Sequence, residues 1–268
     1  MSPAHAPGER SVAEEARISE VTAVVTGASS PRGIGRGVAL RLAREGRPLA
    51  LLDLDEAGLE QAAAAARDAG APQVLTRRTD IADWESVDAA FAAVEAELPA
   101  VGALVGCAGI ADPTPFLEST SQTFARTLAI NTTGTYHLAR RAVPGMLAQG
   151  LGRLVAISST AAQDGGGNFS TSAYAASKAG VEGLLRGLAK ELAGTGVTTA
   201  AIAPANIDTD IMGGALEGER RAQFVARTPV GRLGTVEELA ELVAWLVGPH
   251  GGFTTGATYN LNGGMRVG

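Results

Sequence analysis

The sequence predicts an α/β protein built on a doubly wound parallel sheet in a single domain, and three observations carry that prediction. Short β-rich runs alternate with helical periods from end to end of the chain. The first β-run stops at a glycine loop that opens directly into a helix. The second ends in an acidic residue about twenty positions beyond that loop. A chain of 268 residues with 46% hydrophobic content can bury one sizeable core, and no repeat or linker divides residues 21–268. Residues 1–20 are polar, contain proline and lack a basic stretch followed by an apolar one, so they read as a mobile N-terminal arm without a secretory signal.

Taken in order, residues 21–26 (VTAVVT) form the first strand. It is followed by Gly27-Ala28-Ser29-Ser30-Pro31-Arg32-Gly33-Ile34-Gly35, after which Ile34, Val38 and Leu42 recur at helical spacing. Such a loop turns backbone N–H groups and a helix N-terminus towards a pyrophosphate, and glycine permits the close approach. Residues 49–52 give the second strand, ending in Asp53, whose carboxylate suits the adenosine ribose hydroxyls and repels a 2′-phosphate. That favours NAD over NADP, while Arg32 pulls the other way; the alternative for Asp53 is a turn or helix-cap carboxylate. An Ala-rich helix over 56–69 closes at Gly70, a third strand covers 73–76 and leads to Asp80 and Ile81, and a helix spans 83–98. Residues 103–106 are a fourth strand ending in Cys107-Ala108-Gly109. A long helical region over 119–149 carries Asn131 in its interior, a poor place for asparagine unless its amide has a partner.

Residues 153–158 are the fifth strand, ending in Ser158-Ser159, and a Gly-, Asn- and Ser-containing loop over 160–171 leads to the helix of Tyr174. A sixth strand over 197–203 runs into Pro204-Ala205-Asn206-Ile207-Asp208-Thr209. Residues 211–228 are polar and partly helical, and Gly213, Gly214 and Gly218 suggest a lid. An amphipathic helix over 235–247 and a strand over 257–261 complete the pattern before Asn262-Gly263-Gly264.

Composition excludes several classes. A net charge of −6 and a pI near 5.2 argue against nucleic acid or an anionic membrane as partner, and no stretch approaches the roughly 18 apolar residues of a membrane span. The single cysteine, Cys107, cannot form an internal disulfide and fits a reducing, cytoplasmic setting. Three scattered histidines lack ligand spacing, so no metal site is expected. The chemistry points to Tyr174 and Lys178, four residues apart and therefore on one helix face. A cation beside a phenol favours the phenolate and draws its pKa towards the range useful for proton transfer. The bland alternative is an amphipathic edge residue next to a solvated charge.

Together, Thr26-Gly27 with Gly33-Ile34-Gly35, Asp53, Asp80, Ala108-Gly109, Asn131, Ser159, Tyr174-x-x-x-Lys178, Pro204-x-x-Ile207-x-Thr209 and Asn262-Gly263-Gly264 resemble the short-chain dehydrogenase/reductase family, in order and spacing, from Val21 to Met265. The resemblance implies a Rossmann fold and a catalytic set of Asn131, Ser159, Tyr174 and Lys178. Tyr174 would exchange a proton with the substrate oxygen, Ser159 would hold that oxygen, Lys178 would bind the nicotinamide ribose and lower the Tyr174 pKa, and Asn131 would position a water leading to solvent. By the same resemblance Gly27, Ser29, Arg32, Gly33, Ile34, Gly35 and Asp53 hold the adenosine and pyrophosphate end of NAD. Asp80 and Ile81 lie by adenine, and Pro204, Ile207 and Thr209 lie at the carboxamide end; the small Ala108 and Gly109 let the backbone approach a nicotinamide ribose or simply pack under the neighbouring strand. A homotetramer or dimer is implied, with the 119–149 region, the Tyr174 helix and the last strand at its interfaces.

The sequence departs from the family pattern in the glycine loop, which is two residues longer with Ser30-Pro31-Arg32 in the enlarged part. Gly106-Cys107-Ala108-Gly109 stands in place of Asn-Asn-Ala-Gly, and Pro204-Ala205 in place of Pro-Gly. The longer interval between Ser159 and Tyr174 makes Ser158 a possible substitute for Ser159. The expected function is an NAD-dependent dehydrogenase interconverting a secondary alcohol and ketone, or lactol and lactone, on a small polyol- or sugar-like molecule. The polar 160–171 loop, Asn206 and Asp208 suggest that substrate. The alternatives are an NADPH-dependent 3-oxoacyl-thioester reductase and, in another class, a non-catalytic cofactor-sensing protein, which would not need both Tyr174 and Lys178 intact.

Overall fold

The structure, a computed structural model, describes residues 16–166, 171–212, 214 and 216–267. Among the described residues seven strands, β1 (Thr22–Thr26), β2 (Leu49–Asp53), β3 (Val74–Arg78), β4 (Val101–Gly106), β5 (Gly152–Ile157), β6 (Val197–Pro204) and β7 (Ala257–Leu261), form one sheet in the order β3-β2-β1-β4-β5-β6-β7. Every pairing is parallel. Helices α1 (Ile34–Ala43), α2 (Glu56–Asp68) and α9 (Val236–Val247) cover one face, and α3 (Trp84–Glu97), α5 (Gly134–Gln149) and α7 (Ser172–Glu191) cover the other. Successive strand residues point to opposite faces, so Ala23 and Val25 enter one core while Val24 enters the second. Burial on both faces explains why the inner strands β1, β2, β4 and β5 read as largely apolar runs and not as alternating ones. The chain order reverses between β1 and β4, and the strands' carboxyl ends there leave the crevice where open α/β sheets bind ligands.

Four departures from the sequence reading have local causes. The third strand runs from Val74 to Arg78 because its pairing with β2 extends to Asp53↔Arg78. The 119–149 region is three pieces: α4 (Ser121–Leu128), capped by Thr120 and Thr123 in a reciprocal box, a π-turn at Ala129–Thr133, and α5. In the 160–171 loop a helical turn, α6 (Ala161–Asp164), follows Ser159, and residues 167–170 lie outside the described residues. The expected lid contains a 3-10 turn at Asp210–Met212 and α8 (Gly218–Ala226), with Leu216, Phe224 and Leu233 in a small apolar cluster; Gly213 lies outside the described residues.

The N-terminal arm is only partly described, since residues 1–15 lie outside that set, but Ala16–Ser19 is a 3-10 turn whose Ile18 is fully buried. Arg47, itself buried, donates to the carbonyls of Ile18 (2.7 Å) and Val247 (3.1 Å), pinning this turn beneath the amino ends of the strands. Burial lowers the Arg47 pKa to about 10, and the two carbonyls, one at the negative end of α9, partner its charge. No helix among the described residues is long and apolar enough to cross a membrane.

Candidate active site

The glycine loop is shaped by contacts that leave no room for side chains. A Cβ on Gly35 would lie 2.3 Å from the Gly27 carbonyl oxygen, and one on Gly27, at φ +68°, would lie 2.8 Å from the Ala108 nitrogen. Glycine therefore lets α1 begin against the end of β1 and lets β4 abut the same turn. Thr26 Oγ1 accepts from the backbone N–H groups of both Cys107 and Ala108, each at 3.1 Å. This hydroxyl supports the segment where family members carry two side-chain amides. Asp53 stands at the end of β2: its Oδ2 accepts from Ser29 N–H (3.0 Å) and its Oδ1 from Leu54 N–H (2.7 Å). The carboxylate thus also serves as a turn acceptor and is fixed beside the loop.

Gly33 is the N-cap of α1 and Ile34 its first residue. Asp80 Oδ1 accepts from Ala82 N–H (2.9 Å), and Ile81 is buried against Gly134. The extra residues of the loop form a turn in which Gly33 N–H donates to Ser30 O (3.0 Å), with Pro31 and Arg32 at its corners. Arg32 does not rest on the glycine backbone; its guanidinium reaches Asp208 (2.6 Å) and Asp210 (3.1 Å) beyond β6.

The second half of the site gathers on α7 and the ends of β4 and β5. Tyr174 and Lys178 are 8% and 6% exposed, and Lys178 Nζ lies 5.8 Å from the centre of the Tyr174 ring. Lys178 Nζ donates to Ile157 O (2.8 Å), and burial pushes its pKa down to about 8. Burial also raises the Tyr174 phenol, and the opposing, downward influence is a hydrogen bond with Ser159. In this structure the ammonium is directed at Ile157 O, and the downward pull on the phenol comes from Ser159. Cys107, partly buried nearby, has its thiol pushed up to about 12 by desolvation.

Asn131 sits in the middle of the π-turn, 1% exposed. Its Oδ1 accepts from Ile110 N–H (2.9 Å), while its Nδ2 donates to Ile110 O (3.0 Å) and Ser177 Oγ (2.9 Å). The amide therefore ties the end of β4 to α7. A Cβ on Gly109 would fall 2.9 Å from Asn131 Oδ1 and 3.4 Å from Lys178 Nζ, so the bare glycine backbone separates these groups.

Ser158 and Ser159 point in different directions. Ser158 Oγ is buried and donates to Glu182 Oε1 (2.9 Å), whereas Ser159 Oγ accepts from Ala161 N–H (3.1 Å) and lines a cleft with Tyr174. Of the two, Ser159 is placed at the phenol. Sequence reasoning missed Glu182, which is 4% exposed and also receives Gln163 Nε2 (3.3 Å) and Arg186 Nη1 (3.2 Å). Its position four residues beyond Lys178 on the same helix face was the available signal.

The cleft beside Tyr174 is open to solvent. Ser159, Thr160 and Tyr174 make its polar side; Ile211, Leu216 and Phe224 make an apolar wall from the lid. Asn206 also lines it, but its Nδ2 donates to Thr228 Oγ1 (3.2 Å) and Phe224 O (3.5 Å). Asp208 is engaged by Arg32 and Arg221. Asp208 is therefore not a ready polar contact for a substrate, and the Nδ2 of Asn206 is already engaged. Pro204 closes β6 with its carbonyl accepting from Thr160 N–H (3.0 Å), and Ile207 and Thr209 are buried in the turn beyond it. No cluster of three metal-ligating side chains occurs among the described residues.

The chain resembles known proteins over most of its length. A family model described as "Enoyl-(Acyl carrier protein) reductase" matches residues 27–266. The chain is 38% identical to 2-dehydro-3-deoxy-L-rhamnonate dehydrogenase (NAD(+)) of Sphingomonas sp. (strain SKA58), over 91% of this chain and 95% of that one. It is 34% identical to the 3-oxoacyl-[acyl-carrier-protein] reductase FabG of Vibrio cholerae, over 91% and 97% of the two chains. The crystal structure of a dehydrogenase/reductase from Sinorhizobium meliloti 1021 superposes with a TM-score of 0.85 at 34% identity, covering 95% of this chain and 99% of the other.

Proposed function

The chain belongs to the short-chain dehydrogenase/reductase family and is an oxidoreductase acting on CH–OH groups; we propose that it is an NAD-dependent dehydrogenase of a small secondary alcohol or lactol, polyol- or sugar-like in size. The observation that carries this reading is the convergence of Tyr174, Ser159, Lys178 and Asn131 at the carboxyl ends of β4 and β5, beside a glycine loop bordered by Asp53. Gly27, Ser29, Gly33, Ile34 and Gly35 fit a pyrophosphate because a Cβ on Gly27 or Gly35 would meet backbone, so the loop must stay bare. Asp80 and Ile81 would border the adenine end, Ala108 and Gly109 the nicotinamide ribose, and Pro204, Ile207 and Thr209 the carboxamide. Asp53 favours the ribose diol of NAD, and the charge of Arg32 is already met by Asp208 and Asp210, which weakens its pull towards a 2′-phosphate.

The cofactor, when bound, supplies the hydride acceptor or donor. Tyr174 Oη takes the proton of the substrate hydroxyl during oxidation and returns it during reduction. Ser159 Oγ holds the same oxygen and favours the phenolate. Lys178, whose pKa of about 8 leaves it able to give up a proton near neutrality, relays charge and binds ribose hydroxyls. Asn131 holds the turn at Ile110 in place and orders the path from Lys178 to solvent. The apolar lid wall suits a substrate with one hydroxylated edge and one face poor in hydroxyls, as in a deoxy-sugar acid. We also propose a homotetramer: Phe124 and Tyr136 on the helical region, and Trp245 on α9, are exposed apolar groups in keeping with subunit contacts.

Incubating the protein with NAD or NADP and a panel of sugars, sugar acids, polyols and cyclic alcohols, while following reduced nicotinamide, tests the reading. Turnover with NAD that falls by about 10²-fold or more in Tyr174→Phe is expected. The second reading, a 3-oxoacyl-thioester reductase, is favoured by the same apolar wall, which would accept a short acyl chain; NADPH-dependent reduction of acetoacetyl thioester with no NAD-linked oxidation would establish it instead.

A further inference from the structure

We propose that Arg32 and the Asp208–Asp210 pair form an ionic clasp across the dinucleotide cleft, making Arg32 a positioning residue that holds the nicotinamide turn and slows cofactor escape. The inference rests on the reading above, in which the glycine loop and the Ile207–Thr209 turn hold opposite ends of one dinucleotide. These loops are remote in sequence and belong to different strands, β1 and β6, yet Arg32 joins them directly: Nη2 lies 2.6 Å from Asp208 Oδ1 and Nε lies 3.1 Å from Asp210 Oδ1. The added length of the glycine loop makes this reach possible. Its proline turn, closed by Gly33 N–H to Ser30 O, carries Arg32 out of the loop.

At the other end the contact falls on the residue between Ile207 and Thr209. Asp208 N–H donates to Gly234 O (3.0 Å), so a pull on its carboxylate is a pull on the turn. Asp208 Oδ2 also takes Arg221 of α8 at 2.7 Å, extending the clasp from the glycine loop through the turn to the lid. Two carboxylates between two guanidiniums balance the cluster's charge. The Arg32 side chain is 45% exposed, so each contact alone is weak and screened by salt. The planar guanidinium bridges two carboxylates at once, a geometry that the point charge of lysine does not reproduce.

Stopped-flow fluorescence of bound NADH chased with excess NAD tests the clasp in the full-length protein. Variants R32A, R32K, the pair D208N/D210N, and all three neutralising changes together are compared. NADH release is expected to be about five- to twentyfold faster in R32A and in D208N/D210N at low salt, with R32K intermediate and the combined variant no faster than R32A. About 1 M NaCl should bring the wild type close to R32A and leave R32A nearly unmoved. Release from R32A within about twofold of the wild type would overturn the proposal. So would slower release from D208N/D210N, because that would mean Arg32 leaves the carboxylates to grip the pyrophosphate itself. Hydrogen exchange of the Ile207 and Asp208 amides without cofactor is the second readout. Faster exchange in R32A supports the clasp, and unchanged exchange refutes it. If the wild type binds neither NADH nor NADPH, the dinucleotide reading fails by itself, and this exchange measurement still decides whether the two loops are tied.

Discussion

Ser158 and Ser159 are adjacent, chemically identical and placed in opposite environments, and this contrast separates positioning from proton chemistry. Ser159→Ala removes the hydrogen bond that draws the Tyr174 pKa down against burial. Oxidation needs the phenolate, so the acid limb of the rate–pH profile should move to higher pH in that variant. Ser158→Ala removes one of the partners of buried Glu182 and should lower the melting temperature while leaving the acid limb in place. A profile that moves in Ser158→Ala and stays put in Ser159→Ala would reverse the assignment. Lys178 offers a stability test. Its folded pKa is about 8 against 10.5 when free, so between those values the unfolded chain binds more protons and stability rises with pH. Below that window the buried ammonium costs about 3 kcal/mol. Cofactor-free Lys178→Met should therefore melt above the wild type at neutral pH, with the gap narrowing as pH approaches 10. The Tyr–Lys spacing was readable from sequence, but the direction of the ammonium was not, because it depends on where the Ile157 carbonyl lies in space.

Elements were legible where a local signal fixes them. The Thr235–Glu238 box marks the start of α9, and both side chains form the reciprocal hydrogen bonds in the structure. The glycine loop was legible for a similar reason, since strand, loop and helix succeed one another without a gap. Gly35→Ala tests how strict that junction is. The new methyl would meet the Gly27 and Thr26 carbonyl oxygens, both backbone, so α1 would have to shift. Loss of dinucleotide binding and a destabilisation of about 2–4 kcal/mol are expected in titration and melting experiments. The π-turn at Ala129–Thr133 was hidden because it carries no proline or glycine and reads as ordinary helix. Its presence follows from partners distant in sequence, Ile110 and Ser177, which Asn131 must reach together.

At the scale of the whole molecule, alternation of strands and helices specified the layers, but not which loops would touch across the crevice. Arg32 and Asp208 are 176 residues apart, and each reads alone as a cofactor or substrate contact. The two termini of the described chain show the same limit. Near one end Arg47 fastens Ile18 beneath the amino ends of the strands, away from the crevice at their carboxyl ends. Near the other, Asn262 Nδ2 holds Arg266 O (3.0 Å), and Arg266 Nη1 reaches Gln163 O (3.1 Å) on α6, which begins two residues after Ser159. For tethering the enzyme to a bead or fusing it to a reporter, the two ends are therefore unequal. An attachment ahead of Ala16 should leave turnover unchanged, whereas a bulky one following Val267 should slow it, and matched N- and C-terminal fusions assayed side by side would expose the difference.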